Sequence, residues 1–535
     1  MKLFATLSVL TIAALSAARS LQHVGMKAVE EPRLLQRAEP ARHGNFERRQ
    51  DSQYATNKTE KSEYSVNGTG IPYVDFDIGE SYAGLMPISS EQNSSELYFW
   101  FFPSSNPAAA KEIVIWLNGG PGCSSLEGFL QENGPFLWQY GTYRPVPNPW
   151  TWVNLTNMVW VEKPVGTGFS QGTPTATSEE DVADQFLGFF KNFVDTFAMQ
   201  GYTVYITGES YAGYYVPYIA NAMIGANDTT YYNFSSLMIY DPSLSYDVVQ
   251  QQIPTVPFLD YWAPLINLND SFMEYAHQTA NDCGYTAFLE EALTFPPKGP
   301  LPTPPNVSND NDTCDIFDVA QSAMTLANPC YDIYQVATTC PLLWDVLGFP
   351  GSFGYVPEGA FVYFNLSDVQ RAINAPVQAW DECSTIDVFV NGTDNSPPSA
   401  LSILPNVIEH ADRVIIGHGI LDMILMWNGT LIATQNMTWG GQQGFSVHPD
   451  KWGDFYVPYH TVDDSALGDA TLAAAGNMGR WHTERGLTLV TVQLSGHMVP
   501  QYAPSAAYRQ LEFLLGRIPD LGTKGAFTTM PDTSY

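Results

Sequence analysis

Positive charge is scarce in this sequence. Lys and Arg total 23 against 55 Asp and Glu, a net charge of −32 over 535 residues. Nucleic acid and anionic membrane surfaces are bound by clustered cations, so this balance argues against both as partners. It suits a chain working in acid surroundings, where many carboxylates become neutral. Long apolar runs are also missing. The N-terminal run falls short of the ~18–20 residues needed to span a bilayer, and no later stretch is long enough. The terminal "GAFTTMPDTSY" lacks the hydrophobic tail of a lipid anchor. Cysteine is sparse, and its spacing does not match a zinc site. "GHGILD" lacks the third glycine of a dinucleotide fingerprint. "NDNDTCDIFD" lacks the EF-hand glycine and reads as an acidic loop bearing a sequon. No metal or organic cofactor is expected.

What is present points outward from the cell. Residues 1–18 read as a signal peptide: Lys2, then "LFATLSVLTIAAL", then small residues before a cut near Ala18. Residues 19–49 read as a propeptide ending at Arg48-Arg49. N-x-S/T sequons fall at Asn57, Asn67, Asn93, Asn154, Asn227, Asn233, Asn269, Asn306, Asn311, Asn365, Asn391, Asn428 and Asn436. The six cysteines, Cys123, Cys283, Cys314, Cys330, Cys340 and Cys383, are an even number, so three disulfides are expected in an oxidising compartment. The expected destination is extracellular, with a vacuole or lysosome-like compartment as the alternative.

Hydrophobic residues at 45% and aromatics at 13% can build a sizeable core. "ELYFWFFPS" alternates as an antiparallel strand does. "EIVIWL", "NMVWVE", "TVYITG", "DRVIIGHG" and "GLTLVTVQLSG" are short apolar runs bounded by glycine or proline, and read as buried strands. "SEEDVADQFLGFFKNFVDTF" places Val182, Phe186, Phe189, Phe190 and Phe193 on one helix face, with Ser178 as its cap. "YAGYYVPYIANAMI" and "SAAYRQLEFLLG" read as further helices. Alternating strands and helices predict an α/β fold with a mostly parallel central sheet flanked by helices. The pattern dissolves over residues 245–365, which hold a proline-rich stretch and four cysteines; they read as an inserted cap. The core is then 50–244 and 366–535.

"TGESYAG" puts Ser210 on a turn between a strand and a helix. A nucleophile elbow exposes its hydroxyl in this way, and Gly208 and Ala212 are the small neighbours such a turn needs. The fifth position is Ala where the strict pattern has Gly. A serine hydroxyl needs a base and the base an orienting carboxylate. His497 in "LSGHMVP" and Asp422 in "GHGILDMILMW" follow strands, and the chain order Ser, Asp, His is that of the α/β hydrolases. His418 is a rival base that reads as structural. An oxyanion hole needs two converging N–H donors. Tyr211 follows the nucleophile, and Gly120 lies in the glycine-rich loop "NGGPG". Met498, beside the base, is a candidate for the substrate pocket.

Together "WLNGGPGCSS", "GESYAG", the strand-end Asp and "SGHMVP" resemble the serine carboxypeptidase family across residues 116 to 500. The resemblance implies an α/β-hydrolase fold with a cap insertion, no metal, and removal of C-terminal residues from peptides and proteins at acid pH. It implies that Ser210, Asp422 and His497 form the triad, with Gly120 and Tyr211 as oxyanion hole. Trp116, Asn118, Glu132 and Glu209 match the family's network for the substrate's terminal carboxylate, and Cys123 and Cys383 its most widespread disulfide. Family members often carry a second acid two places before the triad Asp; here that residue is Ile420. For the remaining cysteines the nested pairs Cys283–Cys340 and Cys314–Cys330 are expected over sequential pairing. Other readings are an acyltransferase or esterase with the same triad, or a non-catalytic glycoprotein. The partners expected are peptide C-termini and N-linked glycans.

Overall fold

A computed structural model describes residues 62–307, 312–348, 358–460 and 473–529. The expected signal and propeptide segments, together with Asn57 and Asn311, lie outside them.

The apolar runs become the strands of one large sheet. In chain order these are β1 (Ser65–Val66), β2 (Ser81–Pro87), β3 (Glu96–Phe102), β4 (Glu112–Leu117), β5 (Asn157–Glu162), β6 (Thr203–Glu209), β7 (Phe234–Tyr240), β8 (Arg413–Gly419), β9 (Gly453–Val457), β10 (Gly476–Glu484) and β11 (Leu487–Val492). Their spatial order is β1-β2-β3-β5-β4-β6-β7-β8-β11-β10-β9. The six strands from β5 to β11 are parallel, and the pairs at both edges are antiparallel. Strands β4 and β5 are buried along their whole length, as parallel strands covered on both faces must be.

Side chains alternate across the pleat, which divides the core into two layers. Ile113, Ile115 and Leu117 face the layer holding the helices Glu179–Phe197, Ala212–Ala226 and Leu404–His410. Val114 and Trp116 face the layer holding the helix Pro504–Leu514. On the first helix Phe186, Phe189, Phe190, Phe193 and Phe197 are buried, and burying each is worth about 1.5–3 kcal/mol. Ser178 stands at the cap position of this helix but makes no capping bond. Ser396 Oγ instead accepts from Glu179 N at 2.6 Å.

No strand of this sheet lies between Tyr240 and Arg413 among the described residues. The cap is helical, with helices Ile253–Tyr261, Asp270–Asp282, Tyr285–Ala292 and Ile316–Ala327 around two small apolar clusters. Its acidic loop has a structural use: Asp315 caps the last of these helices through Asp318 N and also accepts from Gln252. The nested disulfides do not form. Cys283 joins Cys314 and Cys330 joins Cys340, with Cα separations of 5.8 and 5.2 Å. The helix Asp270–Asp282 delivers Cys283 to the turn carrying Cys314, where Tyr285 Oη donates to Cys314 O at 3.0 Å. The segment after Ile316–Ala327 folds on itself, with Asn328 Nδ2 donating to Thr338 O at 2.8 Å. Cys123 and Cys383 are joined, closing a separation of 260 residues. In the chain-entropy picture so long a loop stabilises by about 5–6 kcal/mol.

Candidate active site

Strand β6 ends at Glu209 and a helix begins at Ala212, so Ser210 must turn the chain within two residues. It does so at φ 61°, a left-handed conformation that a non-glycine residue adopts at a cost. Two bonds pin it: Ser210 N donates to Tyr240 O, and its carbonyl accepts from Ser243 N, both at 2.9 Å. The small neighbours are needed as expected. A Cβ on Gly208 would lie 2.3 Å from Leu117 O.

His497 Nδ1 lies 2.8 Å from Asp422 Oδ2, and both residues are buried. Asp422 Oδ1 accepts from Ile424 N at 2.9 Å, which fixes the carboxylate plane. Burial pushes the Asp422 carboxyl up, and its contact with His497 pulls it back. With Nδ1 committed to Asp422, Nε2 is the ring nitrogen left over. It is buried without a hydrogen-bond partner among the described residues, and His497 and Ser210 line the same cavity of about 360 Å³. The cap holds both loops: Met423 N donates to Ile333 O, Val336 N to Leu421 O, and His497 N to Tyr334 O.

The loop after β4 meets the elbow. A Cβ on Gly119 would lie 2.5 Å from Tyr211 N and 2.7 Å from Ser210 Cβ. Gly120 sits at φ 111°. Neither Gly120 N nor Tyr211 N makes a backbone hydrogen bond among the described residues. The Tyr211 ring is held away by stacking on Tyr214 and by a 2.6 Å bond from its hydroxyl to Asp394.

Trp116 and Asn118 stand two apart and so face the same side of the sheet. Trp116 Nε1 donates to Asn118 Oδ1 at 2.7 Å, which leaves the Asn118 amide nitrogen to face carboxyls. It donates to Glu209 Oε1 at 2.8 Å and lies 3.4 Å from Glu132 Oε1. Both glutamates are buried, and each keeps an oxygen with no hydrogen-bond partner among the described residues. Desolvation pushes both carboxyls well above the usual range. Glu132 raises Glu209 further, and Glu127 does the same to Glu132.

Several residues here escape a reading of motifs. Glu127 Oε2 also accepts from the Asn118 amide, at 3.3 Å. The turn Gly128–Asn133 is a π-helix, whose i→i+5 pitch brings Glu127 and Glu132 to one side. Lys163 Nζ donates to Asn118 O at 2.8 Å from a buried position. Burial pulls the Lys163 ammonium well down, against the field of Glu179. His418 is fully buried, with Nε2 3.3 Å from Asp241 Oδ1, and is a structural residue behind the site. Burial and the neighbouring His497 pull its imidazole down to about 3. Asp241, Asp422 and His497 bring one ligand-type atom each within 4.8 Å of one another. His497 and Asp422 already bond to each other, and Asp241 accepts from Gly419 N. Met498 lines the cavity, as its position beside the base suggests.

The family model described as serine carboxypeptidase matches residues 72–516. A probable serine carboxypeptidase of Arthroderma benhamiae is 57% identical, covering 95% of this chain and 96% of its own. Serine-type carboxypeptidase F of Aspergillus niger is 46% identical over 88% and 89%. The crystal structure of Kex1(delta)p, a prohormone-processing carboxypeptidase from Saccharomyces cerevisiae, superposes with a TM-score of 0.66 at 24% identity. It covers 86% of this chain and 98% of its own. That likeness carries the fold.

Proposed function

The chain belongs to the serine carboxypeptidase family, and from that membership we propose that it releases C-terminal residues from peptides through an acyl-enzyme on Ser210, best in acid. Ser210 Oγ attacks the carbonyl of the last peptide bond. His497 Nε2 takes the hydroxyl proton and then gives it to the leaving amine, while Asp422 holds the ring and balances the imidazolium. Gly120 N–H and Tyr211 N–H receive the developing oxyanion. Water, deprotonated by the same nitrogen, then frees the acyl group and restores Ser210.

The observation that carries this reading is the unpaired Nε2 of an Asp-bound histidine in one cavity with a strained serine and with Glu209, to which the buried Asn118 donates. An exopeptidase must sense a free carboxylate. Asn118 offers an amide donor, and a protonated Glu209 or Glu132 offers an O–H. Two adjoining buried carboxyls resist double ionisation, so one proton is kept well above the usual carboxylate range. As pH rises that proton is lost, and the site repels its substrate. An acid working pH accords with the excess of Asp and Glu. The N-terminal signal-like segment and the sequons support a secreted, or alternatively vacuolar, glycoprotein.

A blocked dipeptide, its C-terminal amide and its ester are the deciding substrates, each with and without an added amine or alcohol acceptor. The expected result is preferential hydrolysis of the free acid, and a single phosphonate label per chain on Ser210 that abolishes it. Ester turnover with acyl transfer and no peptide hydrolysis would establish the acyltransferase reading instead. Label on another serine with activity lost would reject Ser210.

A further inference from the structure

Glu209 is one of five carboxyl residues around the cavity in front of Ser210; the others are Glu127, Asp332, Asp345 and Glu382. Among the described residues no lysine or arginine lines it. Two of the five are internally satisfied. Asp345 Oδ1 accepts from Gln131 Nε2 and Leu347 N, both at 2.8 Å, and Asp332 Oδ1 from Tyr334 N at 2.9 Å. Glu127 and Glu382 are not. Glu127 is half-buried at the cavity wall, and its one bond is the 3.3 Å contact from the Asn118 amide. Glu382 is only 7% exposed, and its Oε2 has no hydrogen-bond partner among the described residues.

The backbone holds Glu382 firmly in this place. Its carbonyl accepts from Ser124 N at 2.7 Å, Ser384 N donates to Gly122 O at 2.8 Å, and the next residue is bridged to Cys123. The carboxyl is thus tied to the oxyanion loop. Desolvation pushes both Glu127 and Glu382 well above the ordinary carboxylate range. Glu209 and Asp345 push Glu127 further, and Glu127 and Asp345 push Glu382 further. Among the described residues the wall offers this cluster no lysine or arginine, only the Asp422-bound His497, and a buried carboxylate without a counter-charge is costly.

We infer that this cavity receives the side chain of the departing C-terminal residue, and that Glu127 and Glu382 select a lysine or arginine there. The inference rests on the carboxypeptidase reading of the site. In that reading the residue's nitrogen lies at Ser210 and its carboxylate at Asn118 and Glu209. Its side chain therefore leaves from between the oxyanion loop, where Glu382 is tied, and the Asn118 amide, where Glu127 is bonded. Its positive charge supplies what the cluster lacks. An acidic C-terminal side chain would bring a sixth carboxyl to the five and be refused.

The test compares blocked dipeptides ending in arginine or citrulline, and in lysine or norleucine; each pair matches in shape and differs in charge. The expected kcat/KM is at least tenfold higher for the charged member of each pair. Glutamate as the last residue should be the poorest substrate. In the Glu127→Gln/Glu382→Gln double variant the arginine-to-citrulline ratio should fall by about tenfold or more, with citrulline still released. A parent ratio near or below one, with citrulline released normally, overturns the inference and leaves the carboxypeptidase reading standing. An unchanged ratio in the folded double variant also overturns the assignment to these two residues. Release of no C-terminal residue from any of the peptides overturns both. If the double variant does not fold, the parent ratio decides the matter alone.

Discussion

At the scale of single residues, what is legible in the sequence is what chemistry demands at a fixed place. A nucleophile on a strained turn needs small neighbours, so Ser210, Gly208 and Ala212 identify one another. The charge relations are less visible. The pairing of Glu209 with Glu132 depends on Asn118, which in turn is oriented by an indole two residues earlier. The Glu209→Gln variant isolates its part. Gln keeps a donor and cannot ionise. Peptidase kcat/KM of the parent should fall as pH rises through the raised carboxyl range, and the variant should lose that fall. Hydrolysis of C-terminal amides should change little, because they bring no carboxylate to sense. Parallel pH profiles for parent and variant would show that Glu209 only braces the elbow. Glu127, Glu382 and Lys163 were not legible, because no local pattern marks a side chain whose role comes from a neighbour distant along the chain. Lys163 meets Asn118 across two adjacent strands, and Glu127 reaches it only through a π-turn.

At the scale of elements, five of the six parallel strands were readable because burial on both faces leaves mostly apolar residues to choose from; β7, which opens on Phe234, Ser235 and Ser236, was not. The cap helices were not. They are short, Ile253–Tyr261 carries proline at its start and within, and they pack on small clusters that produce no long periodic stripe. The cysteine pairing failed for the same reason: sequence order says nothing about which helix end meets which turn. The contact between the oxyanion loop and the elbow gives a sharper test of element placement. In Gly119→Ala the added Cβ would lie 2.5 Å from Tyr211 N and 2.9 Å from Glu209 O, both backbone atoms of a pinned turn. The loop must retreat, taking the Gly120 N–H with it. A kcat loss of about 10²–10³-fold is expected, as when one oxyanion donor is removed. Circular dichroism should stay that of a folded chain. Full activity in this variant would mean that the loop does not set the oxyanion geometry.

At the scale of the whole molecule, the buried acids fix how stability responds to pH. Desolvation raises Asp332 and Asp345 to about 6 and Glu162 to about 7, from ordinary values of 3.8 and 4.5. Between those limits the native chain holds protons that the unfolded chain has released, so stability falls as pH rises through the window. Each of these shifts is on the order of 3 kcal/mol once pH has passed the raised value. Glu132, Glu209, Glu179 and Asp241 are raised as well and act in the same direction. His418 opposes them. Held down at about 3, it makes the native chain bind fewer protons up to its ordinary 6.5, so its own effect is a gain in stability over that range. It is one group against many, and above 6.5 it no longer acts. Repulsion within a chain of net charge −32 adds to the loss at neutral pH. The melting temperature, followed at constant ionic strength from pH 5 to 7.5, is therefore expected to fall by several degrees. A melting temperature that holds or climbs across that interval would mean these carboxyls are ionised and compensated in the folded chain. The acid optimum proposed for Glu209 and Glu132 would then lose its physical basis, since the same burial sets both.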